Sequence, residues 1–198
     1  MSRLNSQPDE LIPPHLIGLI LTPDEFERLC PLYRDLRLEL ASTGELIVMP
    51  PTDTKTGMHN ANLTYQLAVW TKQDATGIGF GASAGFHLAN GAIRAPSVSW
   101  IKREKWDRLT QSQKEGFGPI CPDFVVELRA YSDDLPPLLE KMEEYMASGA
   151  TLGWLIDPQN RQVHVYKAGE ETIILQDPAI VSGDPLLPGF ELRMEEIW

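Results

Sequence analysis

Glu127 stands in the middle of PDFVVELRA (122–130), a run whose Phe, Val and Leu residues fill nearly every position. Such a run reads as a β-strand buried on both faces. A carboxylate inside it needs a partner, because burying an unpaired charge is strongly unfavourable. Arg129, two residues on and on the same side of the strand, is one. A divalent metal shared with a second carboxylate is the other. Asp123 is a candidate second metal ligand, yet four strand residues span about 13 Å. Magnesium and calcium sit about 2–2.5 Å from their oxygen ligands. One ion reaches both acids only if the start of the strand is bulged. The preceding strand-like stretch, RAPSVSW (94–100), brings Ser97 and no acid.

A cation lies downstream. Leu135, Leu138, Met142, Tyr145 and Met146 repeat at helical spacing and form an apolar stripe. Glu140, Glu143 and Glu144 fall opposite, on a face that reads as solvated. Lys141 borders the stripe. It can snorkel outward or point at whatever Glu127 holds. His59 lies on an apolar helical stripe near a helix start, and His87 and His164 lie in strands without a partner at catalytic spacing. All three read as structural. The glycines of 77–85 lack the Lys-Ser/Thr of a phosphate loop, and Ser132 and Ser148 have no triad context.

These residues need elements to position them. Thr22-Pro23-Asp24-Glu25 predicts a helix start, with Thr as N-cap, Pro at N1 and Glu at N3. Residues 36–40 and 45–49 predict a hairpin. A helix is expected over about 56–73, with His59, Leu63, Leu67 and Trp70 on one side. Residues 77–88 are glycine-rich but strand-like, Asn90-Gly91 marks a turn, and 97–102 reads as the next strand. A short helical excursion follows over 103–117. After the Glu127 strand, Pro136-Pro137 opens the helix that carries Lys141, and Gly149 stops it. Residues 152–156 and 163–166 predict another hairpin, and short strands and turns fill 171–198.

The chain has 198 residues and a net charge of −11. The length suits one domain over 15–198, after a mobile polar tail over 1–14. Cys30 and Cys121 lack metal-ligand spacing, which fits a reducing cytoplasm. No apolar run approaches membrane-span length, so no membrane partner is expected. The acidic balance argues against general nucleic-acid binding unless a metal or a local basic patch compensates.

The stretch CPDFVVELRAYSDDLPPLLEKMEEYMASGATLGWLIDPQNRQVHVYKAGEE (121–171) resembles the Uma-type putative restriction endonuclease family of bacteria. GELIVMPPT, GMHNANLTYQLAVW and PGFELRMEEIW fit it too, and the likeness runs from about Leu36 to Trp198. The resemblance implies an α/β, restriction-endonuclease-like fold of the PD-(D/E)xK superfamily. That is a mixed sheet flanked by helices, here with extra N- and C-terminal strands. It implies a core of helix, three strands, helix and strand. It also implies metal-dependent hydrolysis of DNA phosphodiesters with Mg²⁺ or Mn²⁺. By this resemblance Glu127 is the third-strand acid. The lysine usual two residues later is Arg129 here, and the following helix supplies Lys141 in its place. The family's second-strand Ser-Pro-Asp reads Ala95-Pro96-Ser97, so Ser97 replaces a metal-binding Asp and weak metal binding is expected. Two functions stay open: a metal-dependent endonuclease impaired at Ser97, or a catalytically degenerate nuclease fold acting as a binding or assembly subunit. An enzyme cutting two strands is also expected to be a homodimer.

Overall fold

The computed structural model describes residues 16–198, and the tail expected over 1–14 lies outside the described residues. Helix α1 (Pro23–Leu29) starts at the expected capping box: the Thr22 side chain accepts from the Glu25 N–H and Glu25 reaches back to the Thr22 N–H. Strands β1 (Arg37–Leu40) and β2 (Leu46–Met49) form the expected hairpin, with Leu38 opposite Val48. Helix α2 (Thr54–Asp74) is capped by Asp53 and buries His59, Leu63 and Leu67.

The glycine-rich stretch does not run as one strand. It divides into β3 (Gly77–Gly81) and β4 (Phe86–His87), which belong to different sheets. Next come β5 (Ile93–Arg94), β6 (Val98–Lys102), two short helices α3 (Arg103–Asp107) and α4 (Gln111–Glu115), and β7 (Phe124–Leu128). Helix α5 (Leu135–Ala147) follows, and Gly149 beyond it adopts φ 103°, a left-handed value that glycine accepts freely. Strands β8 (Leu152–Asp157), β9 (Gln162–Lys167), β10 (Ile173–Gln176), β11 (Ile180–Ser182) and β12 (Glu191–Arg193) complete the chain.

The central sheet runs β10-β9-β8-β7-β6-β3 and is mixed, because β7 and β8 are parallel while the other pairs are antiparallel. The parallel pair requires a crossover, which α5 provides. The expected core order of helix, three strands, helix and strand is thus α2, β3, β6, β7, α5 and β8. A second sheet, β2-β1-β5-β4, and a small β11-β12 ribbon stand beside it.

Alternation along β7 sorts its residues between two apolar layers. Phe124, Val126 and Leu128 pack with Leu63 and Leu67 of α2, with Trp154, and with Phe190 of the C-terminal segment. Val125 packs on the other side with Met142 and Tyr145 of α5 and Leu155 of β8. Burying side chains of this size contributes roughly 1.5–3 kcal/mol each. Glu127 shares the parity of Val125, so it is directed to the α5 side. Close packing holds α5 there: a Cβ on Gly153 of β8 would meet the Met142 methyl at 2.5 Å.

Candidate active site

Three elements bring Glu127 its surroundings. Strand β6 pairs with β7 in the register Val98 to Val126 and Ser99 to Val125. Extending that register by one residue sets Ser97 opposite Glu127, and directly opposed residues of an antiparallel pair project to the same side. The Ser97 Oγ accepts the Leu128 N–H at 3.1 Å, just past the end of the ladder. From α5, Lys141 places its Nζ 2.9 Å from Glu127 Oε1. One turn further along, the Tyr145 hydroxyl donates to the same oxygen at 3.1 Å. Lys141 therefore does not snorkel; its side chain is buried, at 11% exposure.

The third element is β1, and the sequence reading missed what it carries. Glu39 is buried, and its Oε1 accepts from Lys141 Nζ at 2.7 Å and from the Ala95 N–H at 2.9 Å. Its Oε2 lies 3.3 Å from Arg94 Nη1. Arg94 also pairs with Glu144, which in turn accepts from the Asn90 side chain at 2.9 Å. Glu144 is thus an anchor, not part of a solvated face. In Arg37-Leu38-Glu39-Leu40 the alternation reads as an ordinary half-exposed strand. The second sheet turns its nominally polar side onto the cleft. No residue near Glu39 in the sequence marks it as buried or names its partners, which come from β5 and α5.

The other acid and the other cation expected near Glu127 are elsewhere. Asp123 lies at the opposite end of β7. Its Oδ2 accepts the Lys102 N–H at 2.8 Å, and its Oδ1 faces Lys105 Nζ at 3.3 Å. No bulge shortens the strand, since β7 pairs with β8 residue by residue from Phe124 to Leu128. The chain therefore does not bring Asp123 to Glu127. Arg129 does not pair with Glu127 either. Past the end of β7 it turns to Asp157 of β8, with Nη1 2.9 Å from Oδ2, and to the Asp133 carbonyl at 3.0 Å. His59 and His164 are buried, and burial lowers the pKa of each. Both remain structural.

The environment drives the two glutamates apart. Burial pushes the Glu127 carboxyl up; Lys141 opposes that rise and Glu39 reinforces it. Burial also disfavours ionised Glu39, but Lys141, the Ala95 N–H and Arg94 outweigh it and lower its pKa. Burial works against the Lys141 charge, yet Glu127 and Glu39 together raise its pKa above the ordinary lysine value. Burial and the neighbouring Glu127 keep the Tyr145 phenol neutral well past its usual range, so it acts as a donor. Two carboxyl groups whose proton affinities are pushed in opposite directions around one fixed ammonium is an arrangement found in acid–base sites.

Glu39, Ser97, Glu127 and Lys141 line a cleft of about 880 Å³. Its acids are Glu39, Glu45, Glu127, Asp133, Asp134, Glu140 and Glu144; its cations are Arg37, Arg94 and Lys141. Among the described residues, no group of three or more His, Cys, Asp or Glu could hold a metal ion. Glu39, Glu127 and the Ser97 hydroxyl nonetheless suit an ion of the magnesium type, which keeps several waters and binds through one or two carboxylates. Glu127 Oε2 takes no hydrogen bond among the described residues, which leaves it available. No helix among the described residues is long and apolar enough to cross a membrane.

Comparison with known proteins agrees with this architecture. The crystal structure of a putative nuclease belonging to DUF820 from Anabaena variabilis aligns with a TM-score of 0.68. The alignment covers 81% of this chain and 88% of that one at 18% identity, a likeness of fold. None of the curated proteins matches the chain. The family model described as "putative restriction endonuclease" matches residues 23–195, a span that holds Glu39, Ser97, Glu127 and Lys141. A mixed sheet that sets an acid of its third core strand against a lysine of the following helix is what the sequence resemblance implied, and the chain belongs to the Uma2 family.

Proposed function

We propose that the cleft hydrolyses DNA phosphodiester bonds with the help of a divalent metal, Mg²⁺ or Mn²⁺, bound weakly. The observation that carries this reading is the Lys141 ammonium at 2.9 Å from Glu127 and 2.7 Å from Glu39, buried at the wall of a large cleft. Glu127 and Glu39 are the residues that would hold the ion. When bound, such an ion polarises a phosphoryl oxygen and acidifies a water. Lys141 contributes a fixed positive charge where negative charge builds up in phosphoryl transfer. Tyr145 and Lys141 orient Glu127 through Oε1, and Arg94 with the Ala95 N–H orients Glu39. Ser97 accepts from the Leu128 N–H and keeps its own hydroxyl proton to donate. Its neutrality, in place of a carboxylate, is the reason for weak metal binding.

The test is nicking of supercoiled plasmid in Mn²⁺ by the wild type and by Glu127→Gln. The wild type should nick and the variant should not. The second reading, a degenerate fold serving as a binding or assembly subunit, is favoured by Ser97 and by the way Lys141 already compensates both carboxylates. Absence of both nicking and Mn²⁺ binding in the wild type would select it. A homodimer belongs to the duplex-cutting form of this proposal; light scattering should then read twice 22.2 kDa.

A further inference from the structure

The electrostatics of the cleft raise a difficulty that the nuclease reading alone does not resolve. Duplex binding draws most of its affinity from neutralising phosphates with Lys and Arg. Here seven acids face three cations, and all three cations are already engaged. Lys141 and Arg94 are bound to carboxylates, and Arg37 donates to the Ala82 carbonyl at 3.2 Å. The site therefore needs a source of affinity that does not depend on phosphate charge.

Tyr131 offers one. It lies in the loop from β7 to α5, between the Glu127 strand and the Lys141 helix, and it is 83% exposed. Its neighbours on either side, Ala130 and Ser132, line the cleft. An exposed aromatic ring is ordinary when its backbone is loose, but this loop is fastened from two sides. The Ala130 N–H donates to the Asp133 carboxylate at 2.9 Å, and the Asp133 N–H returns to the Ala130 carbonyl at 3.2 Å. The Gln159 side-chain amide donates to the carbonyls of both Ala130 and Tyr131, at 3.0 and 3.2 Å. The backbone is thus fixed from the β8–β9 turn and from within the loop, while the ring is left in water at the rim.

We propose that Tyr131 is a stacking platform for an unpaired nucleobase, so that the cleft takes single-stranded DNA. This rests on the nuclease reading and narrows it to one strand at one centre, with no need of a two-fold pair. Base–aromatic stacking requires an exposed π-face, tolerates any base and adds affinity that no phosphate contact supplies. A pre-fixed backbone reduces the ordering cost of binding. In a duplex the faces of internal bases are already stacked and unavailable.

The experiment measures binding without cleavage. Full-length protein in EDTA is titrated into a fluorescein-labelled 12-nucleotide single strand, and into its duplex, and followed by anisotropy. A second strand carrying 2-aminopurine reports stacking by its quenching. The expected result is tighter binding of the single strand than of the duplex. Tyr131→Ala should weaken it about 5- to 150-fold, the range for one stacked base, and abolish the quenching. Tyr131→Phe should retain both. Equal affinity of the Ala variant, preference for the duplex, or no binding by the wild type overturns the proposal. The two readings fail separately. Tyr131-dependent binding without cutting in Mn²⁺ leaves the platform standing and removes the nuclease. Duplex cutting unaffected by Tyr131→Ala does the reverse.

Discussion

Replacing Lys141 with Met tests the centre of the site, because it keeps an unbranched apolar stem, one atom shorter, and removes the ammonium with its charge and its hydrogen bonds. Glu39 and Glu127 would then share a nearly dry space, their side chains 3% and 7% exposed, with Arg94 alone as compensation and bound to only one of them. Breaking a buried pair by removing one partner costs about 3–5 kcal/mol. That is a large fraction of the roughly 5–15 kcal/mol that holds a domain folded. In urea, at a slope of about 2 kcal/mol per molar, the midpoint should fall by roughly 1.5–2.5 M. The buried Trp100 and Trp154 provide the fluorescence signal.

The loss should also depend on pH in a defined direction. Burial and Glu39 already hold Glu127 above its ordinary value of 4.5, and without Lys141 it rises further. A carboxyl raised in the folded state takes up its proton there first, so acidification favours folding from that raised value down to about 4.5. Lys141 keeps its charge throughout this window, since its own pKa lies above 10.5. The cost of Lys141→Met should therefore be greatest near pH 8 and shrink toward pH 5. A cost below about 1 kcal/mol, or one equal at both pH values, would refute the view that this lysine compensates two buried carboxylates.

Three further outcomes are expected. Ser97→Asp should tighten Mn²⁺ binding in calorimetry and raise plasmid nicking, because it adds a carboxylate opposite Glu127 while keeping an acceptor for the Leu128 N–H. Asp123→Ala should leave Mn²⁺ affinity unchanged but lower stability by about 1–3 kcal/mol, because it strips the acceptor from the Lys102 N–H. Mn²⁺ affinity of the wild type should fall with acidification at a pH above 4.5, since the raised Glu127 carboxyl is protonated before an ordinary glutamate; onset at or below 4.5 in the same calorimetry would contradict that environment.

Much of the fold was legible because its signals are local. The capping box at Thr22, the hairpin at 37–49, the stripe of α2 and the glycine stop after α5 each depend on residues a few positions apart. Even the failure over 77–88 has a local cause: Ala82-Ser83-Ala84-Gly85 interrupts the strand, and short strands on either side are free to join different sheets. Glu127 was found by the same kind of reasoning, as an acid where only apolar residues belong. Lys141 was found as the one charge beside an apolar stripe.

What the sequence alone determined is which residues are anomalous: a carboxylate inside β7, a lysine at the edge of the α5 core face, and a serine in the strand beside them. It could not say which anomalies meet. Arg129 shares the parity of Glu127 yet pairs with Asp157, because the parallel register of β7 and β8 sets the two side by side just past Leu128 and Ile156. Asp123 shares it as well, but a regular strand carries it to the far end and to Lys105. Glu39, 102 residues before Lys141, completes the site only because a second sheet folds its hairpin onto the cleft. Periodicity along a strand or helix fixes the side to which a residue points. The partner it finds there depends on how separate sheets pack, and that is decided by burial summed over the whole chain.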